Sequence, residues 1–419
     1  MDILDLADRL WRGETSTTAH HPVIFSGELF EITDGVAFLP TFGNCSAFTT
    51  EHGLFMVDTG SSVTAAKMHA EIRKWSNAPL HTAVYSHGHI DHVFGVGLFD
   101  EEAQSQGWAR PHVIAHEDVA KRFDRYRLTT GYNQIINRRQ FAIDDLEWPT
   151  QYRYPDETYA HEKTMSVGGL DVRLRHEKGE TDDATVTWIP AKRVLCSGDL
   201  FVWSSPNAGN PQKVQRYPRE WAQALRRMAE LDAQFLLPGH GMPIVGAERI
   251  YQALSETAEY LDYMVDQTLA LMNEGARLTD VLSAVTPPRH LVDRVFLQPV
   301  YDEPEFIVRN IWRLYGGWWD GNPATLKPAN DRRVARELAE LAGGPARLSD
   351  RAEALAALGT DEALRLASHL IELAWLAAPE DPALQTVRQR IFSARAEAAT
   401  STMARGVFNW AARESTGRP

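Results

Sequence analysis

His87-Gly88-His89-Ile90-Asp91-His92 puts four potential metal donors within six residues. The run before it, Thr82 to Ser86, is short and rich in β-branched and aromatic residues, so it reads as a strand. The donors therefore sit on a loop at a strand's end. Two imidazoles two residues apart on extended backbone point the same way and can share one cation. Asp91 and His92 follow after a turn and can reach a second. Imidazole together with carboxylate suits zinc and related first-row ions. A polar surface loop would account for single histidines, but four donors at one strand tip point to a metal centre.

Such a centre needs donors from elsewhere in the chain. Asp199 ends Val194-Leu195-Cys196-Ser197-Gly198-Asp199, the tip of another apolar strand, where a carboxylate can bridge two cations. His240, in Leu237-Pro238-Gly239-His240-Gly241, also follows an apolar run. Glu180, in Gly179-Glu180-Thr181-Asp182-Asp183, precedes the strand Thr185 to Ile189.

The chain has 419 residues, enough for two or three domains. Its character changes near residue 250: of fifteen histidines only His290 and His369 lie beyond it. Before that point strands are expected at Ala37–Pro40, Ser46–Thr50, Leu54–Val57, Thr82–Ser86, Val113–Ala115, Leu170–Leu174, Thr185–Ile189 and Val194–Ser197. Helices are expected at Val63–Trp75 and Pro218–Leu231. Strands interleaved with helices predict a layered α/β domain over residues 1–250. Beyond it, Ile250–Asn273, Asp331–Leu341, Asp350–Ala357, Glu362–Ala377 and Pro382–Ala398 carry apolar residues at helical spacing, predicting an all-α domain over 251–419. The Gly- and Trp-rich stretch Tyr315–Pro328 reads as an ordered structural or interface loop.

The formal net charge of −13 repels phosphate backbones and argues against a nucleic-acid partner. No window resembles a membrane span. The N-terminus has acidic residues where a secretory leader needs basic ones. The two cysteines, Cys45 and Cys196, form no regular framework, which fits a reducing, cytoplasmic setting. Asn44-Cys45-Ser46 matches a glycosylation sequon that such a setting leaves unused. Walker A, dinucleotide-fingerprint, HExxH and GxSxG motifs are missing, so the nucleotide, zincin and nucleophile-elbow readings have no support.

The order of motifs, HGHIDH, a Gly-X-Thr turn at Gly179–Thr181, SGD at Ser197–Asp199 and PGHG at Pro238–Gly241, resembles the metallo-β-lactamase superfamily over residues 30–250. Val57-Asp58-Thr59-Gly60 matches the same pattern. The resemblance implies an αββα sandwich and a two-metal hydrolase. Its metal ligands would be His87, His89, Asp91, His92, Glu180, Asp199 and His240, with Asp91, Glu180 and Asp199 as the acids that carry the catalysis. Asp58 would orient the metal loop. Two divalent ions are implied, Zn2+ first, with Mn2+ or Fe2+ as alternatives.

The superfamily usually has histidine where this chain has Glu180. The 19 residues from Glu180 to Asp199 suit the family's spacing, so Glu180 is preferred as a substituted ligand over His176. Glutamate there is a feature of the alkylsulfatase branch. The second half, most visibly Gly317-Trp318-Trp319-Asp320-Gly321-Asn322-Pro323-Ala324, resembles the helical dimerisation domain of that branch. The implied protein is a homodimer that hydrolyses a sulfate ester of an alkyl or other apolar alcohol. The alternatives are a hydrolase of another small-molecule ester (thioester, lactone or phosphodiester) and a metal-binding oligomeric scaffold without catalysis.

Two departures bear on the substrate. A counterpart of the branch's C-terminal lipid-binding-like domain is not expected, and Ser205-Pro206-Asn207-Ala208-Gly209-Asn210-Pro211 stands where the branch has a His-Asn pair and an Arg-Gly turn. Two divalent cations, three carboxylates and a hydroxide sum to a near-neutral site with a weak pull on anions. An anionic ester would then need cations from the protein, for which Lys213, Arg216 and Arg219 are candidates, with Asn207 and Asn210 as polar contacts. His116, at a strand end, is read as structural. The insertion Arg122–Pro149, with Tyr132, Asn133, Asn137 and Arg138, is expected to cover the site.

Overall fold

The computed structural model describes residues 2–21 and 27–417. One sheet has seven strands in chain order: β1 (Phe30–Thr33), β2 (Val36–Leu39), β3 (Cys45–Thr50), β4 (Gly53–Val57), β5 (Leu80–Val84), β6 (His112–His116) and β7 (Glu157–Tyr159). It is antiparallel through β4 and parallel from β4 to β7. The other has six: β8 (Glu162–Val167), β9 (Leu170–Glu177), β10 (Ala184–Ile189), β11 (Val194–Val202), β12 (Phe235–His240) and β13 (Ile244–Val245). Here only β11 and β12 run parallel.

Alternation along the strands builds the layers, because successive side chains leave opposite faces of a sheet. From the first sheet, Val36, Phe38, Phe55, Val57, Val84 and Ile114 share a core with Val172, Leu174, Val186 and Leu195 of the second. Their neighbours Ala37, Leu39, Leu54, Met56, Val113 and Ala115 face the other way. These meet Met68 and Ile72 of α2 (Ala65–Trp75), Val96 and Phe99 of α3 (Val96–Gln106), and Val119 and Phe123 of α4 (Glu117–Leu128). Helix α1 (Ile3–Trp11) joins the first core through Ile3, Ala7 and Leu10. Helix α5 (Thr130–Phe141) follows α4, and α6 (Pro218–Ala229) and α7 (Ala247–Asn273) cover the second sheet through Trp221, Leu225, Leu254 and Leu261. The order helix–sheet–sheet–helix is the predicted αββα sandwich, followed by a helical C-terminal region.

The division of the chain differs from the break expected at residue 250. One compact unit comprises Met1–Thr130 and Trp148–Gly317, the other Gly131–Glu147 and Trp318–Pro419. Helices α7, α8 (Leu278–Ala284), α9 (Arg289–Val292) and α10 (Pro304–Gly316) bury Leu254, Val281, Leu291 and Ile307 in the same core as the sheets. The change of composition near 250 marks where strands give way to helices. It does not mark where the hydrophobic core ends.

The second unit contains most of α5, then α11 (Pro323–Leu326), α12 (Asp331–Leu341), α13 (Pro345–Ala356), α14 (Asp361–Ala377), α15 (Pro382–Ala398) and α16 (Thr402–Glu414). Ala352, Ala367, Ile371, Leu384 and Ile391 form its core. Buried Arg388 is clamped by Glu372 and Glu414 and stacks on Trp375 at 4.0 Å. In the Trp-rich loop, Asp320 accepts from Asn322 N and Thr325 Oγ1, which makes an ordered turn. Among the described residues no helix is long and apolar enough to cross a membrane.

Candidate metal centre

The site forms where strands end. The loop after β5 carries His87–His92, the β9–β10 turn carries Glu180, β11 carries Asp199 and β12 ends on His240. Gly198, with φ +50°, lets β11 bend beside Ser86, where a Cβ would come within 2.7 Å of that side chain. At Gly239 a Cβ would lie 2.1 Å from Asp199 Oδ1, so only glycine lets the two loops close up.

The structure brings all seven predicted donors together, in two groups. His87, His89, Glu180 and Asp199 form one, and Asp91, His92 and His240 the other, with donor atoms within 4.8 Å of each other in each group. Asp199 lies between them, its oxygens 3.5 Å from His87 Nε2, 3.4 Å from His92 Nε2 and 3.3 Å from His240 Nε2. Asp91 Oδ2 lies 3.4 Å from His92 Nε2 and 3.3 Å from His240 Nε2. Donors about 2.1 Å from a tetrahedral cation stand about 3.4 Å apart. These separations fit a shared cation better than direct hydrogen bonds.

The other side of each imidazole supports the same reading. Asp58 Oδ1 accepts from Ser86 N at 2.7 Å, and Oδ2 from Ser86 Oγ at 2.7 Å and His92 Nδ1 at 2.8 Å. His87 Nδ1 donates to Ser86 Oγ at 3.0 Å. Both rings thus spend the Nδ1 proton on this pair, which leaves Nε2 as a lone pair aimed inward. His87 Nε2, His92 Nε2 and Asp199 Oδ1 are buried with no hydrogen-bond partner. Buried polar atoms rarely go unpaired, and a divalent cation would satisfy all three. The residues fit divalent metal binding.

Charge around the site follows from burial and these neighbours. Burial alone would lower the pKa of His240, but Asp199 and Asp91 overcome it and push it up to about 10. Burial, then Asp199, raises Glu180 well above the usual carboxylate range, against the pull of Arg216. Metal binding would displace such protons. Burial and nearby Arg216 lower Lys213 to about 7, although Asp91 and Glu180 pull the other way, and its ammonium lies 5.7 Å from the centroid of the Trp148 ring.

The remaining predicted residues fall in different places. Asn207 Nδ2 and Arg216 Nη2 both donate to Glu180 Oε1. Asn210 shapes a turn, its Oδ1 accepting from Gln212 N. Arg219 pairs with Asp262 and Asp266 on α7. His176 donates from Nε2 to Asp182 O and stacks on His116 at 3.7 Å, outside the donor groups. His116 accepts from Asp118 N at the start of α4. Tyr132, Asn133, Asn137 and Arg138 lie on α5, in the second unit.

Several residues with no sequence signal frame the site. Buried Asn44, noted only as a sequon, donates to Pro238 O and Gly241 O, and its N–H to Gly239 O, which fixes the His240 loop. Asp183 accepts from Gly88 N at 3.1 Å and from Arg122 Nε at 2.7 Å, tying the His87–His92 loop to the Glu180 turn. Phe42 packs edge-on against His240, with centroids 5.4 Å apart. Tyr301 lies close enough to Glu180, Asp91 and Asp199 for their charges, added to burial, to hold its hydroxyl protonated far above its ordinary range.

Comparison with known proteins finds two family models along the chain. Residues 39–240 match the Metallo-beta-lactamase superfamily, and residues 277–417 match the family described as alkyl sulfatase dimerisation. The chain thus matches a metallo-beta-lactamase model in its first half and an alkylsulfatase dimerisation model in its second. It is 29% identical over 315 residues to a linear primary-alkylsulfatase of Pseudomonas sp. (strain ATCC 19151), an alignment covering 70% of this chain and 59% of the relative. It is 24% identical over 365 residues to an alkyl/aryl-sulfatase of Saccharomyces cerevisiae, covering 80% of this chain and 55% of the relative. The chain thus spans less than two thirds of the length of these curated relatives. A solved stereoselective inverting sec-alkylsulfatase from Pseudomonas sp. shares its fold, with a TM-score of 0.84 at 19% identity, over 94% of this chain and 66% of that one.

Proposed function

We propose that the protein is a two-metal hydrolase that cleaves a sulfate ester of an alkyl or other apolar alcohol. The observation that carries this reading is the pair of donor groups with Asp199 between them. Zn2+ suits the imidazole–carboxylate set first, and Mn2+ or Fe2+ also fit it. Divalent cations held there lower the pKa of water towards neutrality and offset charge on a departing oxygen. The chain's own residues do the rest. His87, His89 and Glu180 would hold one position, Asp91, His92 and His240 the other, with Asp199 placed to serve both. Lys213, poised near neutrality, would take up a proton opposite the anionic head, and Phe42 would offer an apolar wall for the alcohol. The sulfatase activities of the two curated relatives support the same substrate class. The unbridged, buried Cys45 and Cys196 support a cytoplasmic setting.

An assay of purified protein loaded with Zn2+ or Mn2+ against alkyl sulfates, aryl sulfates, thioesters and lactones tests the proposal. Sulfate release from an alkyl sulfate is expected. Turnover confined to thioesters or lactones would replace the sulfatase reading.

We also propose that the protein is a homodimer assembled through α12. Val334, Leu338 and Leu341, spaced along one face of that helix, are exposed. The dimerisation family matched by this region supports a second copy as the partner. Leu338→Ala removes about 1.5 kcal/mol of burial per copy, about 3 kcal/mol across a two-fold interface, and should weaken association about 10²-fold. Analytical ultracentrifugation across a dilution series would show it, and an unchanged dimer would move the interface elsewhere.

A further inference from the structure

Glu180 and Arg216 are both almost fully buried, at 4% and 1% exposure. Among the described residues, Glu180 is the only carboxylate within ion-pair distance of Arg216, at 3.3 Å between Nη2 and Oε1. Asn207 Nδ2 donates to that same oxygen. Two donors on Oε1 leave Oε2 as the oxygen available to His87, His89 and Asp199. The arginine is pinned from behind, because Asn310 on α10 accepts from Arg216 N at 3.2 Å and donates to Arg216 O at 3.1 Å. Arg216 Nε is buried without a partner.

A buried guanidinium next to a cation site is costly unless a carboxylate compensates it. A neutral ligand at position 180 would leave Arg216 uncompensated. We infer that Arg216 is the counter-charge of Glu180, and that the pair acts as one electrically neutral ligand to the first metal. Three carboxylates then bring an effective charge of two, not three. The centre keeps one more unit of positive charge than its carboxylates alone suggest, which restores pull on an anionic ester. Arg216 is a positioning residue here, acting through Glu180. The inference rests on a cation being held by the donor groups. It does not depend on which ester is cleaved, because its test reads metal retention and not turnover.

The test uses the full chain loaded with Zn2+ and exposed to a chelator, with metal per chain followed by atomic emission. Arg216→Gln removes a positive charge near the metal, so the first metal should leave about tenfold more slowly. A packing role alone predicts faster metal loss. Arg216→Lys keeps the charge and should lose metal at the wild-type rate. Glu180→His should shed about one equivalent of metal, and adding Arg216→Met should restore it. Faster metal loss in R216Q, full retention in E180H, or no recovery in the double variant would each overturn the inference. Comparing R216Q with R216K keeps the test decisive if E180H fails to fold.

Discussion

Asp199→Asn is expected to strip both metal positions and lower kcat/KM by at least about 10³-fold. The reason is the residue's place between the two donor groups. One carboxylate oxygen faces His92, and the other faces His87 and His240. Asparagine has nearly the same shape and fills the same space against Gly239. It carries no charge, however, and its amide nitrogen cannot bind a cation. Whichever way the amide turns, one of the two oxygens is lost, either the one facing His87 and His240 or the one facing His92. With only two anionic donors left, the other position also loses affinity, because a shared ligand couples the two sites. Metal analysis of the purified variant should show well under one equivalent per chain. Two retained equivalents would show that Asp199 does not bridge the two groups.

Asp199 was legible in the sequence for the same reason most of the donor set was. The His87–His92 donors, Asp199 and His240 each follow an apolar run, so the strand and the chemistry at its tip are read together, whereas Glu180 precedes one and was read from the motif order. The eight strands expected from such runs all appear, with boundaries shifted by one to a few residues. Strand β7, with three residues, is too short to carry a pattern. Strand β12 is interrupted by Pro238-Gly239, which looks like a turn until parallel pairing with β11 holds it straight. Helix α1 has its apolar residues at helical spacing in Ile3, Ala7 and Leu10, but a segment weighed only as a leader yields no helix.

The framing residues were out of reach for a different reason. Asn44 acts on a loop almost 200 residues away, and Asp183 on one 95 residues away. Neither has a spacing that local periodicity can register. The same holds for Tyr301, which lies in a stretch whose composition announces only helices. Arg216 was legible as a cation near the site, but its partner is a ligand of the centre, a relation that only the folded chain creates.

Asp58→Asn is expected to weaken metal binding at the Asp91–His92–His240 group by about 10- to 100-fold, with a further loss of about 1–3 kcal/mol in the stability of the stripped protein. The substitution is mild in shape, and asparagine tolerates the left-handed backbone of this position, where φ is +60°. The damage comes from proton bookkeeping. Three donors, Ser86 N, Ser86 Oγ and His92 Nδ1, converge on the two oxygens of Asp58. An amide offers one oxygen and two further hydrogens, so at least one donor must face another. If the amide nitrogen turns towards His92, the imidazole must accept at Nδ1 and carry its proton on Nε2. That nitrogen then cannot bind a cation. If it turns towards Ser86, a buried backbone N–H loses its acceptor and the loop carrying His87 loosens. Zn2+ titration against a competing chelator separates the two outcomes. Loss confined to one equivalent indicates the tautomer route, loss of both indicates the loop route, and wild-type affinity would show that Asp58 does not orient the histidines.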